Sequence, residues 1–180
     1  MFLLHFRTAW EDYFPATSKT NLNSQTYTSR QTPSNTGVYV SNCLFSSISS
    51  TSGSGGALYC SSSVTYFLVE STSFFSCTTS SGNGGAVYFS NTNGGQSVLH
   101  EVCGYNCSSN PHDQFAYIRF NNAASSKSCI NYSSIAHCVN ERSGSCNVLR
   151  FNYGKICCSS VNSSLNKCYY RPVIFCSPYV

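Results

Sequence analysis

Gly84-Gly85-Ala86-Val87-Tyr88 restates Gly55-Gly56-Ala57-Leu58-Tyr59 at a spacing of 84 − 55 = 29 residues, which makes the chain a repeat protein. Cysteine keeps the beat downstream. Cys77, Cys107, Cys138 and Cys168 are separated by 30, 31 and 30 residues, and Ile48 stands 29 before Cys77. Aligned on these five anchors, the units expose three apolar columns. The first holds Val40, Val69, Leu99 and Ile130, and the second Phe45, Phe74, Ile135 and Leu165, with Gly104 as the exception. The third holds Tyr59, Tyr88, Ile118 and Leu149. Turns such as Ser50-Thr51-Ser52-Gly53-Ser54 and Ser80-Ser81-Gly82-Asn83 fill the gaps.

Three short strands in a unit of about thirty residues predict an all-β fold, a right-handed parallel β-helix with about four to five coils. One unit cannot bury its apolar faces alone. When the next lies on top, each strand pairs with its equivalent about 4.8 Å away and like side chains form ladders along one shaft. Ala57, Ala86 and Ala116 read as a small-residue ladder where the wall bends. Gly55-Gly56 and Gly84-Gly85 serve that turn by allowing positive φ or close backbone approach. Gln114-Phe115 and Ser145-Cys146 stand in their place in the next two units.

Only 9% of the 180 residues are charged, against roughly 25% in an ordinary soluble domain. The 41% hydrophobic content still suffices for a core. Residues 1–118 hold three basic and five acidic side chains, and 119–180 hold seven and one, so the C-terminal part is a body of net +6. Such a field favours anionic glycans or phospholipid surfaces, or simply solubility. Nucleic acid is not an expected partner, because no binding motif accompanies the charge. Twelve cysteines and the sequons at Asn106, Asn131 and Asn162 point to a cell-surface or secreted setting.

Residues 1–37 divide from the rest. Phe2, Leu3, Phe6, Ala9, Trp10, Tyr13 and Phe14 are spaced as on an amphipathic helix that Pro15 stops, expected as a cap over the first coil. An unusual secretory signal is the alternative. The Ser/Thr-rich stretch that follows reads as extended or loop, with Thr26-Tyr27-Thr28 as a strand of a partial first turn. The β-helix is expected over 38–180. No run of 18 apolar residues is present to span a membrane. The last unit, Ile156-Cys157-Cys158 onward, has no polar cap, so end-to-end self-association or a longer parent chain is expected.

The pairing of Phe45-Ser46-Ser47-Ile48 and Phe74-Phe75-Ser76-Cys77 with a following Gly-Gly-Ala-Leu/Val-Tyr resembles the Phe-x-x-Asn and Gly-Gly-Ala-Ile repeats of chlamydial polymorphic outer-membrane proteins. It is closer still to the cysteine-rich β-helix surface proteins of trichomonad parasites, over about residues 38–176. Ile or Cys replaces the Asn of that pattern. The resemblance implies a pectin-lyase-like fold, a cell-surface location, and adhesion, interaction or antigenic display with host-cell proteins or glycans as partners. It implies no catalytic residue.

The residues themselves offer few reactive groupings. Cys77, Cys107, Cys138 and Cys168 read as a ladder of buried thiols, because side chains stacked on parallel strands rarely reach disulfide torsion. Cys129 with Cys157 or Cys158, and Cys146 with Cys176, are candidate bridges off that ladder. No metal or cofactor is expected, since Cys103-x-x-x-Cys107 lacks a partnered pair at zinc spacing and His5, His100, His112 and His137 are scattered. Alternation places Arg119 and Arg150 outside on equivalent strands, a candidate anion contact or a simply exposed pair. The expected function is a non-enzymatic scaffold. The alternative is a polysaccharide lyase or glycoside hydrolase, which needs paired acids; Glu70 and Glu101, one period apart with His100 alongside, are the candidate pair.

Overall fold

The computed structural model describes residues 10–15, 17–138, 147–168 and 172–177. All its paired strands are parallel, each bonded to its equivalent one coil away, so the chain is an all-β solenoid of about four turns. The first wall stacks Lys19–Asn23, Gly37–Ser41, Tyr66–Glu70, Gln96–His100, Lys127–Asn131 and Lys155–Ser159. The second stacks Thr26–Tyr27, Leu44–Ser46, Ser73–Phe75, Cys103–Tyr105, Ser134–Ala136 and Asn162–Ser164. The third stacks Leu58–Cys60, Val87–Asn91, Ala116–Phe120, Leu149–Asn152 and Ile174–Ser177. A fourth, short ladder of Ser49–Ser50, Thr78–Gly82 and Ser108–Pro111 lies between the second and third in chain order. Its Ser/Thr/Gly composition reads as a turn, and its strands pair all the same.

Inward residues superpose as the repeat predicts. Val40, Val69, Leu99 and Ile130 form one column, extended by Leu22 below and Cys158 above. Phe45 and Phe74 stack with centroids 4.8 Å apart and planes 9° from parallel, so the ring spacing equals the strand spacing. Tyr27 continues the stack on the other side of Phe45.

Three columns differ from the expectation. On the third wall Tyr59, Tyr88 and Tyr117 are level, whereas Cys60, Phe89, Ile118 and Phe151 form the inward column. The third unit is one residue shorter between its anchor Cys107 and this wall. Ala116 therefore pairs with Val87, and Phe115 takes the place of Ala57 and Ala86. For the same reason Asp113-Gln114 take the Gly-Gly place in the third unit, and Asn147 that of the second glycine in the fourth. On the second wall Ser163, not Leu165, follows Ile135.

Corners are built by residues in the left-handed region. Asn42, Ser71, Glu101, Tyr132 and Ser160 leave the first wall at φ 44–52°, and Ser47, Ser76, Asn106, His137 and Leu165 leave the second at φ 52–54°. The residue after each corner points inward, and many donate to the carbonyl before it. Thr72 Oγ1 reaches Glu70 O at 2.7 Å, Ser133 Oγ reaches Asn131 O at 2.8 Å, and Cys43 Sγ reaches Ser41 O at 3.2 Å. The anchor cysteines do the same work at the next corner: Cys77, Cys107 and Cys138 donate to Phe75, Tyr105 and Ala136 at 3.6, 3.5 and 3.5 Å. A thiol suits the site because it is small enough for the shaft and still a weak donor.

Leu165 is the misfit among corner residues, 71% exposed at φ 53° with a branched side chain. Such a residue in the left-handed region costs roughly 1–2 kcal/mol, much of which asparagine avoids. Leu165→Asn is expected to raise stability by about 1 kcal/mol, read as a higher urea midpoint at unchanged slope. A lower midpoint would show that Leu165 packs usefully.

The N-terminal helix, Trp10–Tyr13 among the described residues, does not cap the end of the shaft. It lies on the outer face of the first wall, where Trp10 and Phe14 bury Tyr39, Leu68 and Val98. That cover explains why Val38-Tyr39-Val40 and Phe67-Leu68-Val69 read as unbroken apolar runs: both faces of this wall are buried. The solenoid also begins before residue 38, since Lys19–Asn23 pairs along its whole length with Gly37–Ser41. Only Leu22 in that strand is apolar, which hid it. Residues 1–9 of the expected helix lie outside the described residues.

Candidate functional site

Three-residue strands decide what the second wall shows. With one residue inward, each strand turns two outward, giving one row of Leu44, Ser73, Cys103 and Ser134 and another of Ser46, Phe75, Tyr105 and Ala136. Phe75 and Tyr105 stack with centroids 5.5 Å apart and planes 5° from parallel, and the His137 ring lies 4.9 Å beyond Tyr105. Phe75 is 45% exposed, Tyr105 43% and Leu44 39%. The stack stops at Phe75 because the residue one coil below is Ser46. The result is an open notch of about 430 Å³ lined by Leu44, Ser46, Ser73, Phe75, Cys103 and Tyr105. None of the strands of this wall contains Asp, Glu, Lys or Arg.

The tyrosines of the third wall are committed differently. Arg30 lies over Tyr59 at 4.9 Å, Tyr59 on Tyr88 at 5.2 Å, Tyr88 on Tyr117 at 5.3 Å, and Arg150 over Tyr117 at 5.5 Å. Phe175 closes the stack on the far side of Arg150 at 5.4 Å. Each cation–π contact of this kind is worth about 0.5–1 kcal/mol at an exposed site. Burial raises the Tyr88 phenol and lowers the Arg30 guanidinium from their usual ranges.

That stack overturns the arginine pair. Tyr117, not Arg119, lies opposite Arg150, and Arg119 lies opposite Asn152. The two Arg-Phe dipeptides look equivalent in sequence, but from anchor to third wall the third unit is one residue short and the fourth one residue long, which offsets them by two. Arg150 also has protein partners, with Nη1 3.8 Å from Asp113 Oδ2 and Nε donating to Asn152 Oδ1 at 3.3 Å.

Glu70 and Glu101 are likewise not brought face to face. Glu70 lies opposite His100, while Glu101 occupies the corner one residue on. Glu70 accepts from the Tyr39 hydroxyl, and burial together with that bond holds the phenol well above its ordinary value. Glu101 accepts from Ser71 Oγ at 2.8 Å, and its other oxygen is 3.8 Å from His100 Nε2. Two carboxylates tied to separate partners do not make the facing pair that glycoside hydrolysis uses.

Gly55 and Gly84 turn the third corner at φ 71° and 69°, and Gly56 and Gly85 let successive coils approach. Cys77, Cys107 and Cys138 are buried in one column as free thiols, and Cys168 is partly buried against the same core. Burial lifts the Cys107 thiol far above its ordinary value. Cys129 does lie opposite Cys157. Cys146 lies outside the described residues, so its pairing with Cys176 has no geometry here. Among the described residues no three His, Cys, Asp or Glu side chains come together as a metal-binding group.

Phe75, Tyr105 and Leu44 were not singled out by the sequence. The signal was there: Phe75 and Tyr105 precede the anchors Cys77 and Cys107 by the same two residues, a repeat of outward aromatics at 105 − 75 = 30.

Fold and surface together define a β-solenoid repeat protein with one uncharged, aromatic-laddered wall. No protein family, no curated protein and no solved structure matches the chain. Among the described residues no helix is long and apolar enough to cross a membrane.

Proposed function

We propose that this protein is a non-enzymatic binding scaffold displayed at the cell surface, and that its second wall engages neutral glycans. The observation that carries the reading is the unfinished ring stack: the face of Phe75 turned towards Ser46 has no ring upon it. A pyranose presents a flat apolar face of CH groups and a rim of hydroxyls. The first can take the missing rung, and the second meets the hydroxyls of Ser46 and Ser73 in the same notch. Sites of this type join an apolar platform to a few placed polar groups. The absence of charge along the wall favours neutral over anionic sugars, although the chain as a whole carries +4. The cysteine content supports the surface setting.

The test is a glycan array followed by titration calorimetry. Neutral hexose-containing glycans are expected to bind the full chain, and Phe75→Ala to weaken binding at least tenfold, about 1.4 kcal/mol. Phe75 is half exposed, so the variant is expected to fold, which circular dichroism checks. Binding that survives Phe75→Ala would remove the notch from the account. Release of unsaturated uronate from pectin would overturn the non-enzymatic reading.

A further inference from the structure

Two inward columns finish in cysteine at the C-terminal end of the described solenoid. On the first wall Ile130 is followed by Cys158, and on the third wall Phe151 is followed by Cys176. Everywhere below, the equivalent positions hold apolar side chains or the buried Cys60, which meet across the shaft and are covered by the next coil. At this end Cys158 and Cys176 are exposed, on two walls of the same coil, and each thiol lies near enough to the other to shift its ionisation.

We propose that Cys158 and Cys176 form a disulfide that ties the first wall to the third and braces this end of the solenoid. Geometry separates this pair from the other cysteines. Cys129 and Cys157 lie on directly opposed rungs of neighbouring parallel strands, as the anchor cysteines stack from coil to coil. In both cases the Cβ atoms point the same way, and a Cβ–S–S–Cβ torsion near 90° is hard to reach. Cys158 and Cys176 instead belong to two different walls, each at the inward position of its strand, so they are not stacked on parallel rungs. Their exposure also admits an oxidant, which the fully buried Cys60 and Cys107 do not.

The oxidant required is a low-molecular-weight disulfide such as oxidised glutathione. The Cys176 thiolate attacks one sulfur of that disulfide, expels one thiolate and leaves a mixed disulfide on Cys176. Cys158 then gives up its proton, attacks the Cys176 sulfur and expels the second thiolate. Two protein thiols are oxidised, one small disulfide is reduced to two thiols, and the two protons end on those leaving groups. Burial raises both protein thiols and pushes Cys158 up to about 12, while its contact with Cys176 eases ionisation of the latter. Cys176 is therefore the first attacker.

The full chain, equilibrated with oxidised glutathione, alkylated and digested with trypsin, tests this by mass spectrometry. The peptide 156–167 is expected to be joined to the peptide carrying Cys176. That link should persist in Cys157→Ser and Cys168→Ser and vanish in Cys158→Ser and Cys176→Ser. Oxidation should also raise the thermal midpoint of the unsubstituted chain by several degrees and leave that of Cys176→Ser unchanged. Fully alkylated Cys158 and Cys176, a link that survives Cys158→Ser, or Cys129–Cys157 as the bridge found would each overturn the proposal.

Discussion

Phe115→Ala is expected to lower the unfolding free energy by about 3–5 kcal/mol, and Gly104→Phe placed in the same chain to recover a large part of the loss. The ground for this is an exchange of volume between two walls. In the first two coils the second wall supplies Phe45 or Phe74, and the corner before the third wall supplies Ala57 or Ala86. In the third coil these roles reverse. Gly104 lies level with Phe74, Phe115 lies level with Ala86, and the Phe115 ring enters the space that a side chain at Gly104 would fill. It meets Phe74 edge to face with centroids 5.7 Å apart. In the fourth coil Ile135 and Val148 divide the space more evenly. A Cβ on Gly104 would stand 2.4 Å from the Phe115 ring, so Gly104→Phe alone overpacks the shaft. Denaturant titrations of the two single variants and the double variant form a thermodynamic cycle. The coupling is expected at the upper end of the 0.5–3 kcal/mol range for residues in contact. Additive effects would mean that the two positions do not share one volume.

The same exchange shows why the sequence discloses the solenoid and blurs its registers. Gly-Gly-Ala-Leu/Val-Tyr in two units and cysteine at most of the anchors answer local demands, a steric limit at a corner and a donor after one. They recur at a fixed period, and coil stacking follows from them. Phe45, Phe74, Gly104 and Ile135 fill a column of one shaft and not one residue type, so identity drifts while the summed volume holds. The slip at Arg119 and Arg150 has another origin. One residue fewer between Ser109 and Ala116, and one more between Cys138 and Arg150, shift the two strands by two places and turn an apparent arginine pair into an Arg150–Tyr117 stack. The strand Lys19–Asn23 escaped because its backbone bonds to Gly37–Ser41, which no side-chain pattern reports. The notch at Phe75 is a third case. It exists because Ser46 is small where Phe75 is large, a difference between two coils that a search for likeness passes over.

Gly85→Ala is expected to cost about 3 kcal/mol or more, a fall of roughly 6–12 °C in Tm for a chain of this size. The reason is contact between backbones. A Cβ at Gly85 would stand 2.3 Å from the carbonyl oxygen of Gln114 and 2.4 Å from that of Ser108. Neither oxygen can retreat cheaply: the first accepts the Gly85 amide at 3.0 Å, and the second belongs to a strand paired with Thr78–Gly82. Adding one methyl group therefore pushes two coils apart along the solenoid axis. Gly53 gives the control. Its φ is +73°, so alanine there meets the left-handed penalty of roughly 1–2 kcal/mol, but only the Arg30 guanidinium lies within 4 Å, at 3.8 Å. Gly53→Asn should avoid most of that cost, whereas Gly85→Asn should be at least as damaging as Gly85→Ala. Thermal melts of the four variants separate steric from conformational glycine. If asparagine rescued both sites alike, coil-to-coil approach would not be what requires the second glycine of the motif.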